Sequence, residues 1–146
     1  MASQLIETLR DYFQHEAIRF KIEAVFLYGS QAAGLSRPDS DVDLAIVFED
    51  EEMSKEQIFD RMNDLTLTLT EILDGEVNLI PIDRDFSRPM LYYNAIVKGI
   101  PLFMTDPRCY AKLVNEAIYQ MEDFEMFGRG WQIGLARRNL QETGNG

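Results

Sequence analysis

The stretch Phe26-Leu27-Tyr28-Gly29-Ser30, ten further residues, and then Asp41-Val42-Asp43-Leu44 decides how this chain folds. Val25 to Tyr28 is a short apolar run rich in strand-forming residues, and Gly29 stops it. From Asp41 to Phe48 the pattern alternates: Asp41, Asp43, Ala45 and Val47 share one face, Val42, Leu44, Ile46 and Phe48 the other. Asp41 and Asp43 therefore project together from one side of a strand. Two carboxylates held side by side repel each other unless a cation lies between them.

Oxygen-only ligands on a stiff strand suit Mg²⁺, which keeps several waters and completes its shell with substrate phosphates. The Gly29-Ser30 pair supplies a second half to such a site. Gly29 allows a sharp turn, and Ser30 opens Ser30-Gln31-Ala32-Ala33 as a helical first turn. Free backbone N–H groups and a hydroxyl at a helix start bind phosphate oxygens. If the two strands pair antiparallel, Ser30 and both aspartates meet at one edge of the sheet, as a site for a nucleoside triphosphate and a metal.

A Gly-Ser turn by itself is ordinarily only a turn, and Asp-x-Asp by itself a solvated strand edge. Asp39 in Pro38-Asp39-Ser40 reads as turn chemistry. The conjunction carries the site: Gly-Ser after a strand, a glycine-containing loop, then paired acids opening an apolar strand.

On these residues the chain resembles the minimal nucleotidyltransferases of the DNA polymerase β superfamily, and most of all the MntA-type antitoxins paired with HEPN-domain toxins. Gly34, Arg37, Ser40 and Leu44 also fit that pattern, while Gln31 stands where arginine is common. A looser match in the order of elements extends to about Phe103. The resemblance implies a small mixed β-sheet with flanking helices. It also implies that Gly29, Ser30 and Ser40 bind nucleotide, that Asp41 and Asp43 hold Mg²⁺, and that Ser30, Asp41 and Asp43 carry catalysis. The implied reaction moves AMP from ATP to a tyrosine of a cognate HEPN toxin and silences it.

One position departs from the family. A third acid is usual in a third strand, and here the run is Val77-Asn78-Leu79-Ile80, with Glu76 two residues earlier at the same parity as Asn78. A carboxylate there could take a proton and help hold metal, whereas an amide cannot act as a base. Three readings stay open: Glu76 substitutes, the acceptor's proton leaves to solvent or to a phosphate oxygen, or catalysis is weak. A non-catalytic antitoxin that acts by binding is thus one rival. Transfer to a small molecule of the aminoglycoside type is another, although the chain lacks room for the helical acceptor domain of larger relatives.

At 146 residues, one domain is expected, with a core over about 1–104 and a helical extension over about 106–140. No apolar run reaches membrane-spanning length, and the N-terminus lacks a basic-then-apolar pattern. The single cysteine, Cys109, fits a reducing cytoplasm and reads as a helix-packing residue; His15, beside Glu16, reads as surface. A net charge of −11 argues against a sequence-independent grip on nucleic acid, yet permits one nucleotide if bound Mg²⁺ carries compensating charge.

Along the chain, Ser3 opens a helix to about Arg19 with a stripe of Leu5, Leu9, Tyr12, Phe13 and Ile18. Glu49 to Glu52 is an acidic loop. Ser54-Lys55-Glu56-Gln57 is a capping box opening a helix to Leu73 through Ile58, Met62, Leu65, Leu69 and Ile72, although Thr66–Thr70 alternates like a strand. Glu76–Ile82 reads as a third strand, parallel to the second after a crossover. Pro89 opens a short helix to about Lys98 with Met90, Tyr93 and Val97 on one face. Ile100–Met104 holds Pro101 and is at best an edge strand. Asp106-Pro107 starts a last helix to about Phe127 along Leu113, Ala117, Tyr119, Met121 and Phe124. Gly128 and Gly130 are expected to break it before a short helix over 131–140. Phe124, Phe127 and Trp131 read either as core or as a partner-contact surface.

Overall fold

A computed structural model describes residues 2–34, 41–49 and 52–144, with side chains at 3–29, 31–32, 34, 41–49 and 52–126. The elements run α1 (Ala2–Phe20), β1 (Ile22–Tyr28), α2 (Ser30–Ala33), β2 (Val42–Phe48), α3 (Lys55–Leu73), β3 (Val77–Pro81), α4 (Pro89–Ile96), β4 (Ile100–Met104) and α5 (Pro107–Gly144). The four strands form one mixed sheet in the order β3-β2-β1-β4. β1 pairs antiparallel with both β2 and β4, and β2 pairs parallel with β3. The α/β class, the crossover to a parallel third strand and the edge position of the Pro101 strand all agree with the sequence reading.

The alternation in β2 becomes a division between two cores. Val42, Leu44, Ile46 and Phe48 face one side, where Leu9, Phe13 and Ala17 of α1 and Met62, Leu65 and Leu69 of α3 pack. Ala45 and Val47 face the other, against Tyr92, Ala95 and Ile96 of α4 and Cys109, Leu113 and Ala117 of α5. Helices thus cover both faces, which is why β2 stays apolar at every position after Asp43.

α3 forms through Thr66–Thr70 because its ends are fixed and its burial is helical. The Ser54 hydroxyl accepts from Gln57 N at 3.1 Å, and Gln57 Oε1 accepts from Ser54 N at 3.0 Å. Asp74 takes the left-handed conformation at the other end. Leu69 is fully buried while Leu67 is 67% exposed, a split that a strand would not give to residues two apart.

Several expectations are corrected. Ile18 is 86% exposed; the α1 stripe runs instead through Leu9, Phe13, Ala17 and Phe20, with small Ala17 letting the helix lie close to the sheet. Ile72 is exposed at the end of α3. In α4 the buried face is Tyr92, Ala95 and Ile96, and Met90 is exposed, because an eight-residue helix offers two stripes of equal spacing and the sheet selects one. α4 stops at Ile96, and β3 begins one residue later and ends one earlier than expected. Gly128 and Gly130 do not break α5, which is helical from Pro107 to Gly144. Glycine in a helix costs only about 1 kcal/mol relative to alanine, so two of them weaken a helix without ending it. Tyr119 and Phe124 are exposed; the side chains of Phe127 and Trp131 lie outside the described residues.

Candidate nucleotide site

Three strands bring the site residues into one row. The β1–β2 register sets Tyr28 opposite Asp43, and the β2–β3 register sets Asp43 opposite Asn78. Tyr28 and Asp43 share the face on which α4 and α5 pack. Asp41 lies one residue ahead of β2 and is exposed, and Asp43 is half-buried inside it. The two aspartates project from the same side, as the alternation requires.

The Asn78 amide joins them. Its Nδ2 donates to Asp41 Oδ2 and to Asp43 Oδ1, each at 3.3 Å. One nitrogen touching both carboxylates shows that their oxygens converge on a common point. Glu76 lies just before β3 with its side chain exposed, and its carbonyl accepts the Val42 N–H at 3.0 Å. The side chain that meets the acid pair is therefore that of Asn78.

Gly29 closes the row at the end of β1. Its φ is +78°, a conformation that glycine adopts without strain. A Cβ built there would lie 2.5 Å from Asp43 Oδ2. The turn is glycine for two reasons at once: the backbone bends left-handed, and the Asp43 carboxylate lies against its Cα. Ser30 follows as the first residue of α2, so the turn that leads into a helical start abuts the acid pair. The Ser30 side chain lies outside the described residues, as do Arg37, Asp39 and Ser40 entirely.

Two residues beside this row escaped the sequence reading. The Tyr28 phenol has a pKa above its ordinary value, mainly because it is half-buried and next because of the Asp43 charge; Arg88 pulls the other way. Asp43 and Arg88 are thus each within electrostatic reach of Tyr28. Strand parity could have flagged Tyr28, since it shares the face of Phe26 and, through pairing, of Asp43. Arg88, just ahead of the Pro89 helix start, carries no local signal.

The residues on either side of Arg88 are tied together. Asp83 accepts from Ser87 N at 3.0 Å, from the Ser87 hydroxyl, and from Tyr92 OH at 2.6 Å. Burial opposes the charge on Asp83, but these hydrogen bonds outweigh it and hold its carboxyl below the usual range. The same loop lines a cleft of about 1040 Å³ against α3, with Met62, Leu79, Asp83, Arg88 and Tyr92 among its walls.

Among the described residues no three of His, Cys, Asp and Glu come together. The groups at the row are two carboxylates and an amide that carries an oxygen besides the Nδ2 facing them, a hard-oxygen set that fits a divalent cation of the Mg²⁺ type and not a soft metal. Cys109 is buried in the α4–α5 core, and burial, then the Glu23 charge, push its thiol up to about 12. It is a packing residue, and the raised pKa disfavours its thiolate at neutral pH. His15 is exposed on α1 against its own helix, with Nδ1 2.7 Å from Asp11 O. No described helix is long and apolar enough to cross a membrane.

The family described as polymerase beta, nucleotidyltransferase, matches residues 7–108. Among solved structures the chain is similar to one described as a toxin–antitoxin with AMP-PNP, at 17% identity and a TM-score of 0.62, covering 80% of this chain and 92% of that one. It is also similar to a chain of the tri-AMPylated Shewanella oneidensis HEPN toxin in complex with MNT antitoxin, at 14% identity and a TM-score of 0.62, covering 86% and 93%. A toxin–antitoxin MntA–HepT structure aligns over 85% and 93%, at 14% identity and a TM-score of 0.62. No curated protein matches the chain.

Proposed function

The chain belongs to the polymerase β nucleotidyltransferase family, and on that premise we propose that it transfers AMP from ATP to a tyrosine of a cognate HEPN-type toxin and so acts as an antitoxin. The observation that carries the reading is the convergence of Asp41 and Asp43 on one point beside the Gly29–Ser30 turn. The solved relatives, described as toxin–antitoxin complexes with an ATP analogue or an AMPylated toxin, support the choice of nucleotide and partner.

In this reading the Ser30 hydroxyl and the backbone N–H groups of the α2 start bind the phosphates. Asp41 and Asp43 would hold a divalent cation, which would supply positive charge to the phosphate oxygens. The phenol oxygen bonds to the α-phosphorus, and the bond from that phosphorus to the β-phosphate oxygen breaks to release pyrophosphate. Asn78 cannot accept the phenolic proton. The proton passes to solvent or to a phosphate oxygen, which a phenol with a pKa of about 10 allows more readily than an aliphatic alcohol. Localisation in the cytoplasm follows from the proposed partner and substrate.

The test is intact mass spectrometry of the toxin after incubation with this protein, ATP and Mg²⁺. A mass gain of one or more AMP units is expected, abolished in Asp41→Asn/Asp43→Asn. A second reading is favoured by the amide at position 78: an antitoxin that neutralises by binding alone. An unmodified toxin that is still inhibited in a stable complex would establish it.

A further inference from the structure

The orientation of Asn78 is dictated by its neighbours. Two carboxylates demand a donor, so the –NH₂ end faces them and Oδ1 faces away. Nδ2 thereby occupies the place where a cation shared by Asp41 and Asp43 would bring its own positive charge. A cation and an –NH₂ group cannot share that place, since both present positive charge to the same oxygens. The register fixes the Asn78 backbone opposite Asp43, so the side chain has no retreat along the strand. Asn78 is exposed, so the move left to it is to swing its side chain off the pair and outward.

We propose that Asn78 is a reversible cap on the acid pair: its –NH₂ bridges Asp41 and Asp43 when no cation is present, and its side chain swings off the pair and turns over to present Oδ1 from the side when the cation binds. The proposal rests on the reading of Asp41 and Asp43 as cation ligands. It gives the amide two uses that a third carboxylate could not combine. A carboxylate there would add a third negative charge to the cation-free site and destabilise it. An amide neutralises the pair by hydrogen bonding and still supplies an oxygen ligand of the kind divalent cations accept from asparagine. The result is a site whose cation-free form is relaxed and whose cation affinity is lower than that of a three-acid site.

The test follows the side-chain amide resonance of ¹⁵N-labelled protein during a titration with Mg²⁺ alone, with the Asn78 peak identified by its absence in Asn78→Asp. Saturable movement of that peak is expected, in step with the backbone amides of Asp41 and Asp43. By calorimetry, Asn78→Ala should weaken Mg²⁺ roughly tenfold or more, and Asn78→Asp should tighten it by a similar factor while lowering the melting temperature of the metal-free protein. Asn78→Ala binding Mg²⁺ as tightly as wild type, or tighter, overturns the turnover: the amide would then be a competitor only. An Asn78 peak that stays still while Asp41 and Asp43 respond overturns it too. If Asp41 and Asp43 themselves do not respond to Mg²⁺, the parent reading fails and takes this one with it.

Discussion

Replacing Gly29 with alanine probes the contact that joins the turn to the acid pair. The backbone there has φ +78°, and placing a Cβ in the left-handed region costs about 1–2 kcal/mol. The new methyl would lie 2.5 Å from Asp43 Oδ2 but 3.4 Å from its Cγ and 3.6 Å from its Cβ, so the carboxylate can relieve the overlap by turning. Turning it off its preferred rotamer costs about 0.5–1.5 kcal/mol more. The sum, roughly 1.5–3.5 kcal/mol, corresponds to a fall in melting temperature of about 3–14 °C for a domain of this size. Function should suffer far more, because a carboxylate displaced by about 1 Å can cost 10²-fold in rate. Gly34→Ala is the internal control: its φ is +71° and a Cβ there meets nothing within 4 Å, so it carries the strain alone. Thermal unfolding by circular dichroism and AMP incorporation into the toxin are measured for both. Equal transfer rates in the two variants would refute the claim that Gly29 positions Asp43.

The remaining expectations concern the supports of the site. Tyr92→Phe removes the 2.6 Å donor to Asp83 and should cost about 1–2 kcal/mol at pH 7 by urea unfolding. Because the Asp83 pKa is lowered in the folded state, that stabilisation is present above the unfolded value near 4 and is lost as pH falls through the folded one, so the difference between wild type and variant should shrink on acidification below the ordinary carboxylate range. The Cys109 thiol, raised to about 12, should resist iodoacetamide at pH 8 in the native protein and react readily in urea; native labelling within tenfold of the denatured rate would contradict its burial. Its raised pKa also means that stability present below about pH 9 declines as pH rises toward 12, by at most about 1.4 kcal/mol per pH unit. Ser54→Ala breaks the capping box and should lower the melting temperature by about 2–4 °C, from roughly 1 kcal/mol, without altering transfer.

The acid row was legible because its signals are local and steric. Alternation in Asp41–Phe48 dictates which side chains share a face, and Gly29 after a β-rich run dictates a turn; both survive folding unchanged. The capping box decided α3 against the strand-like Thr66–Thr70 run, since a fixed helix start outweighs five alternating residues. What sequence could not decide was which of two equivalent stripes a helix buries. Ile18 and Met90 fit an apolar stripe by spacing, yet Ala17 and Tyr92 are the residues the sheet accepts, because the contact depends on the partner surface. Arg88 is the clearest omission: it reaches Tyr28 only through the fold of the Asp83–Tyr92 loop, far from the motif in sequence.

The row is also unequal in how firmly its members are held. Asp43 sits on a strand with neighbours on both sides, and its approach to Gly29 comes from an adjacent antiparallel pair. Asn78 sits on the outermost strand, five residues long, and is 35 residues from Asp43 along the chain. Outer strands open by local unfolding at lower free energy than the centre of a sheet. Hydrogen exchange should therefore find the β3 amides less protected than those of β1 and β2. On warming, the acid pair would lose its amide partner before the sheet itself melts, so the site would fail as a site while the protein still reads as folded.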